Sequence, residues 1–375
     1  MPKAIRLGFL THVEGQADLH TLYRRLIQLF VAAEELGFEV GWIAQHHFED
    51  GRSGAGAGAS PLTLLAAVAE HTSRIRLGTA VVTIPLENPL RLAEDAATVD
   101  VLSGGRLELG IGSGFDPRSF DAFGVPIEER RVLTSRGLEL IYRAFDGQSL
   151  TSDGAAILQP QSLGLRDRIW QGIFSESGAR YVAAAGSHLL LNRATYGHEQ
   201  RTDVVQRPWA DAYLNEWAKH PRNDGRTPRI GLSRFIYATT DRAMARRHLE
   251  AGVSHYAKRM VDNGKFPPGL DLDGYLARLH CFYGHPDEII AKLRDETTLP
   301  IATDILCQVN PGVPTFDQTL AALELIAREI APALGWNSAS SRQRIGRLPM
   351  DVNRRAVGPL AASKVDRSSG RPNTQ

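Results

Sequence analysis

Two adjacent histidines, His46 and His47, close the apolar stretch "GWIAQHHFEDG" at residues 41–51. An imidazole titrates near neutral pH and can hold, deliver or remove a proton. On a strand, neighbouring side chains point to opposite faces, so only one of the pair can address a given cavity. The plainer reading of either ring is a hydrogen bond to nearby backbone. A second candidate is "SESGAR" (175–180), ahead of a helical stretch. There the hydroxyls of Ser175 and Ser177, with free N–H groups up to Gly178, make an anion site that needs no lysine. Serine capping of the helix explains the same letters. A third stretch, "GIGSGF" (110–115), lacks GxGxxG spacing, and no acidic residue stands about twenty positions later in a second strand. Its glycines allow a close approach of the backbone.

The surrounding composition is that of an ordinary globular enzyme. The 375 residues are 43% hydrophobic and 23% charged, with a net charge near +1. That balance gives no electrostatic case for nucleic acid or an anionic membrane surface as partner. Cys281 and Cys307 form neither a disulfide framework nor zinc-site spacing, so no metal site is expected. No run approaches the ~18 apolar residues of a membrane span. "MPKAIRLGFLTHVEG" has no stretch of signal-peptide length, so a cytoplasmic location is expected. Residues 336–375 are basic, rich in Ser, Gly and Pro, and read as a flexible tail.

The elements that must position these residues alternate between apolar runs and amphipathic stretches. "AIRLGFL" (4–10) reads as a strand, after which Leu22, Leu26, Leu29, Phe30 and Ala33 recur at helical spacing up to Gly37. "EVGWIAQ" with "PLTLLAAVAEHT", "RIRLGTAVVTI" with "PLRLAEDAATVDVLS", and "GRLELGIG" with "IEERRVLTSRGLELIYRAF" repeat the pair. Later strands are expected at 168–174, 187–194, 229–238 and 301–310. Eight strands, each followed by a helical segment, predict a single α/β domain over 1–335, a (β/α)8 TIM barrel. Insertions are expected after strand four (146–167) and strand seven (about 245–285), where "DNGKFPPGLDLDG" reads as a mobile lid loop. In such a barrel the site lies at the C-terminal ends of the strands. That rim holds Thr11, His12, Gln45–Phe48, Thr83–Pro85, Gly112–Asp116, Ser175–Gly178, Asn192–Tyr196, Ala238, Thr239 and Gln308–Gly312.

Several of these stretches resemble one family. "AEELGFEVGWIAQHHF", "RIRLGTAVVTIPLENPLRLAEDAATVDVLSGGRLELGIGSGF", "FGVPIEER", "GHPDEIIAKL" and "CQVNPGVPTFDQTLAALELIAREIAPAL" are similar, in order and spacing, to the bacterial luciferase-like flavin monooxygenases. The resemblance covers roughly residues 4–335 and is densest over 30–130. It implies a barrel that binds reduced FMN delivered by a separate flavin reductase. It also implies reaction with O2 to a 4a-hydroperoxide, which oxygenates a small organic substrate. A homodimer through the helices at about 61–72 and 89–103 is implied as well. Some relatives instead transfer hydride with a deazaflavin, and others bind flavin without turnover. The "HHF" motif and the full set of eight units favour the monooxygenase.

By the match, His46 takes the place of the family's catalytic histidine and His47 that of its supporting neighbour. Gln45 stands where luciferases carry an acidic residue. A neutral amide hydrogen-bonds but does not charge an imidazole, which argues against a strict copy of the light-emitting mechanism. Ala80 and Val81 occupy the position of a non-prolyl cis peptide beneath the flavin ring. Ser113 replaces a phosphate-binding arginine, and Arg131, beside Arg130, matches a second one; a solvated helix face is its alternative reading. Ser175, Ser177 and Gly178 match the phosphate-binding turn. Gly112 and Phe115 flank the expected flavin. Asn192 and Arg193 end the sixth strand, where Arg193 offers a cation that offsets Ser113 or meets an acidic substrate. Trp42, Phe48, Phe115 and Phe120 are candidates for pocket lining or for core.

Overall fold

A computed structural model describes residues 5–336 apart from 50, 52–55, 163, 224 and 311–312. Beyond Trp336, the expected tail lies outside the described residues, as do residues 311–312 of the expected rim. Eight parallel strands form a closed barrel. They are β1 (Arg6–Thr11), β2 (Val40–Ile43), β3 (Arg76–Thr79) and β4 (Leu107–Gly112). The second half is β5 (Ile169–Ile173), β6 (His188–Leu191), β7 (Ile230–Ala238) and β8 (Asp304–Gln308). Each pairs with the next, and β8 closes the ring by pairing with both β7 and β1. All eight strands expected from the sequence are present.

The helices between them are α1 (Leu19–Glu35), α2 (Pro61–Ala69), α3 (Pro89–Leu102), α4 (Pro117–Ala122) and α5 (Arg130–Phe145). They continue with α6 (Glu176–Ala184), α7 (Thr202–Trp217), α8 (Arg242–Asp262), α9 (Leu272–Arg278), α10 (Pro286–Arg294) and α11 (Phe316–Leu325). Many begin where a short polar side chain takes an orphan N–H, as Asp18, Asn88, Ser175, Asp241 and Thr315 do. No helix of the described residues is long and apolar enough to cross a membrane.

The run "RIRLGTAVVTI" departs from a single strand. Leu77 and Gly78 pair with Leu107 and Glu108, whereas Val82 and Thr83 pair with Ile111 and Gly112. The first chain therefore advances one residue more than the second, a bulge at the barrel rim. The peptide between Ala80 and Val81 is cis, as the resemblance implies. The stretch read as an insertion after strand seven is mostly helical: α8, α9 and a short strand Phe282–Gly284 paired with β7. Leu249, Val253, Phe266 and Leu276 join these pieces in one apolar cluster. Cys281 and Cys307 are buried, and burial pushes both thiols up, away from reactive thiolate.

Inside the barrel, Trp42 and Trp170 cross edge to face at 5.5 Å, packed with Leu10, Ala44, Leu190 and Leu306. Gly78 makes room for them, since a Cβ there would fall 2.2 Å from the Trp42 ring. At the opposite end from the expected site, two fully buried carboxylates meet three arginines. Glu108 accepts from Arg6 at 3.0 Å, Arg76 at 2.6 Å and the Trp170 indole at 2.6 Å. Asp304 accepts from Arg6 at 2.6 Å and Arg229 at 2.7 Å. Burial works to raise the Glu108 carboxyl, but Arg6 and Arg76 hold it below the ordinary range.

Removing one partner from such a cluster strands buried charge. Glu108→Gln, which leaves three guanidiniums around one carboxylate, is expected to cost about 3–5 kcal/mol in urea unfolding. Arg91→Ala, which removes only exposed pairs to Glu94 and Asp95, is expected to cost about 0.5 kcal/mol or less. Equal losses would show that the cluster does not hold the barrel.

Candidate active site

Strand alternation decides which histidine of the doublet faces inward. Trp42 and Ala44 point into the barrel beside Leu10 of β1, so His46 and His12 continue the same two rows. They meet there, His12 Nδ1 to His46 Nε2 at 2.9 Å, with rings stacked 5.1 Å apart. Burial, reinforced by Arg193, brings His46 down to about 4. Burial and His46 put His12 well below its usual value too. At neutral pH the site therefore presents two uncharged imidazoles.

Gln45 and His47 point the other way. The Gln45 amide accepts from Thr83 N at 2.7 Å and donates to Ala59 O at 3.3 Å and Glu87 Oε1 at 3.1 Å. It ties down the chain just after the bulge. A carboxylate at position 45 could not donate to Glu87 and would repel it, so the amide is matched to its partner. The His47 ring packs edge-on against Phe123 at 4.9 Å, and its Nε2 is buried with no partner among the described residues.

An apolar surface is formed by Val81, just past the end of β3. Val81 spreads over the ends of β4 and β5, where a Cβ on Gly112 would fall 2.5 Å from Val81 Cγ2, and one on Gly172 3.5 Å from Cγ1. Ala80 and Val81 pack from there onto the interior cluster. At the start of α6, Ser175 Oγ accepts from Gly178 N at 3.1 Å and stands 3.2 Å from Ser177 Oγ. The capping reading thus holds, and it leaves Ser177 exposed beside the open end of the helix. Glu176 is engaged by Arg180 at 2.7 Å. Arg131 is exposed and makes no ion pair among the described residues. One turn further along α5, Ser135 meets Tyr181 of α6 at 3.2 Å. Because α5 and α6 run parallel, Arg131 and Ser177, each four residues earlier, flank the open end of that seam. Ser113 is half-buried; Phe115 and Phe48 are exposed, whereas Trp42 and Phe120 belong to the core.

Arg193 follows β6, the strand next to β5. The carbonyl of Asn192 is held by Gln206 at 2.7 Å and by Arg234 at 3.1 Å, and Asn192 Oδ1 accepts from Arg193 N at 2.8 Å. Arg234 is itself fully buried against Glu296 at 2.6 Å. This anchor turns Arg193 toward α8, where its Nη2 donates to Tyr256 OH at 3.0 Å and its guanidinium covers the Phe235 ring at 4.8 Å. A narrow cleft opens beside it, lined by His12, Glu14, Arg193, Phe235, Tyr256 and Asn310 among others. Burial raises the Glu14 carboxyl to about 7, so it can exchange a proton near neutrality. Glu14 and Tyr256 escaped the sequence reading, and His12 was placed on the rim without a role. Alternation from Leu10 would have found His12. Nothing local announces Glu14, because Val13 at φ 58° reverses the chain between them.

The imidazoles set an acid limit on stability. His46 and His188 lie near 4 when folded against an ordinary 6.5. The unfolded chain therefore binds protons in that window that the folded chain refuses. Their contribution is complete above pH 6.5 and is lost as pH falls toward 4. Urea midpoints across that range should fall less steeply for His46→Gln than for the parent; identical slopes would contradict the buried neutral ring.

Comparison with known proteins completes the picture. A family model described as luciferase-like monooxygenase matches residues 5–304. The uncharacterized protein y4vJ of Sinorhizobium fredii is 27% identical over 334 residues, spanning 84% of this chain and 92% of that one. The monooxygenase RslO1 from Streptomyces bottropensis superposes with a TM-score of 0.75 at 24% identity, covering 88% of this chain and 99% of that one. The oxygenating constituent of 3,6-diketocamphane monooxygenase from Pseudomonas putida, in complex with FMN, gives 0.69 at 17%, covering 88% and 98%. At such identities the two structures speak for the barrel alone. The family match spans most of the chain and includes the strands that carry His46, Val81 and the α6 turn. The chain therefore belongs to the luciferase-like monooxygenase family, as an enzyme of the flavin-dependent monooxygenase class.

Proposed function

We propose that the protein binds reduced FMN with its phosphate at the start of α6 and its ring over Val81, and oxygenates a small organic substrate in the cleft beside His46. The observation that carries this reading is the order of surfaces around the rim. An open helix start with Ser177 and with Arg131, which makes no ion pair among the described residues, suits a phosphate. The floor over Gly112 and Gly172 suits a planar ring. The buried imidazole pair then stands between that floor and the cleft. Bound there, reduced FMN supplies the electrons that activate O2.

The remaining work falls to the chain's own residues. His46 engages His12 through Nε2, which leaves Nδ1 to hold or give a proton toward the floor. Because burial keeps the ring neutral, it presents no charge of its own to the reacting centre. Val253 and Tyr256 of α8 wall the cleft, which limits water. That wall, continued through the loop at 263–271, is the lid of this reading. The glycine stretch at 110–115 lacks dinucleotide spacing, in keeping with electrons delivered by a separate flavin reductase.

Anaerobic titration with reduced FMN and reduced riboflavin tests the phosphate site. The parent should favour FMN by about tenfold or more, and Arg131→Gln should remove most of that preference without changing riboflavin affinity. Equal affinity for the two flavins in the parent would sink the site. Tighter binding of a reduced deazaflavin would move the reading to hydride transfer. Stopped-flow absorbance then tests His46: in oxygenated buffer the bound flavin should return slowly to its oxidised spectrum. In His46→Ala the return should approach the rate of free FMN. A parent that already matches free FMN would refute a protective role for this site.

A further inference from the structure

We propose that the cleft between β1, β6–β8 and α8 binds the oxyanion of an acidic organic substrate, with Arg193 as its counter-ion and Arg259 in support. The proposal rests on the flavin reading only in calling that acid the substrate.

Arg193 is a cation whose hydrogen-bond partner is neutral, with the Glu14 carboxyl acting on it through space. Its Nη2 donates to the Tyr256 phenol, which in turn bonds Tyr196 OH at 2.8 Å. Its Nε is buried and has no partner among the described residues. Burial pushes the Tyr196 phenol up, so it supplies no negative charge. Arg259 of α8 lies over the Tyr256 ring at 5.2 Å, and neither arginine makes an ion pair among the described residues. The fully buried Arg234, by contrast, is matched by the carboxylate of Glu296. A desolvated cation without a counter-charge is costly, and a site that keeps one is prepared for an anion.

The other titratable groups of the cleft do not make up the deficit. His12 and His46 are held neutral by burial. Glu14 is the one carboxyl lining the cleft, it makes no ion pair with Arg193 among the described residues, and burial leaves it about half protonated near pH 7. Two cations thus face at most one anion. The rest of the wall is apolar: Phe235, Val253, Leu279 and Val313. A guanidinium at one end of an apolar cleft fits a carboxylate or phenolate carried on a hydrocarbon body. The seat opens toward β7, β8 and β1, whereas the α6 turn follows β5, the strand next to β6, so FMN affinity is the readout that separates the two sites.

The test titrates benzoate, phenylacetate and hexanoate against benzamide, phenylacetamide and hexanamide by calorimetry, with flavin-free and FMN-loaded protein. At least one acid should bind about tenfold or more tightly than its amide. That preference should shrink to about threefold or less in Arg193→Gln, and fall several-fold in Arg259→Gln, a surface-reaching variant that keeps the buried anchor intact. FMN affinity should stay within about twofold of the parent in both. The proposal is overturned if no acid outbinds its amide, or if both variants keep the full preference. It is also overturned if FMN affinity drops in step, which would put Arg193 on the flavin. Failure of the parent to bind FMN would sink the flavin reading alone, because the acid preference is read independently on flavin-free protein.

Discussion

Two carboxylates at the closed end of the barrel hold three guanidiniums, and the open end depends on them. Arg6, Arg76, Glu108, Arg229 and Asp304 all stand at or next to the first residues of strands β1, β3, β4, β7 and β8. A parallel sheet that slips by one residue turns every side chain to the opposite face. By pinning strand starts from opposite sides of the ring to one another, the cluster fixes the register. The inward rows therefore end on His12 and His46. Trp170 couples the two ends, since its indole donates to Glu108 while its ring packs on Trp42 two turns of alternation below His46.

Above that base the rim divides into two halves of different chemistry. One half, from β3 to β5, is apolar floor and open helix start, with its arginine on the surface. The other, from β6 round to β1, buries its arginine among phenols and leaves a carboxyl poised near neutrality. The stacked imidazoles sit at the boundary, uncharged. Burial produces all three behaviours at once: it silences the histidines, raises Glu14 and makes an unpaired guanidinium worth a counter-ion.

Much of the architecture was legible in the sequence because it depends on short-range periodicity. Strand and helix alternation placed all eight strands, and the family motifs placed the cis peptide between Ala80 and Val81, whereas the bulge beside it was not foreseen. The site was only partly legible. Which of His46 and His47 faces inward follows from the burial of Trp42 and Ala44, two positions a lone sequence leaves ambiguous at a strand end. Glu14 follows a backbone reversal at Val13, and Tyr256 arrives on a helix about sixty residues downstream of Arg193. Neither has a local signature, because both depend on where distant elements come to rest. The segment at 245–285 read as an insertion around a loop because its helices are rich in charge; their few apolar residues pack on one another, on β7 and on Ala322 of α11.

The amide at position 45 has a wider meaning for how this chain relates to its kin. Its two donors and one acceptor are distributed among Ala59, Glu87 and Thr83. A carboxylate in its place can be accommodated only if position 87 gives up its own negative charge. The two positions are therefore coupled: an acid at 45 would face the Glu87 carboxyl, and the pair would have to share a proton or move apart. The glutamine at 45 is thus to be read together with Glu87, as one half of a hydrogen-bonded pair.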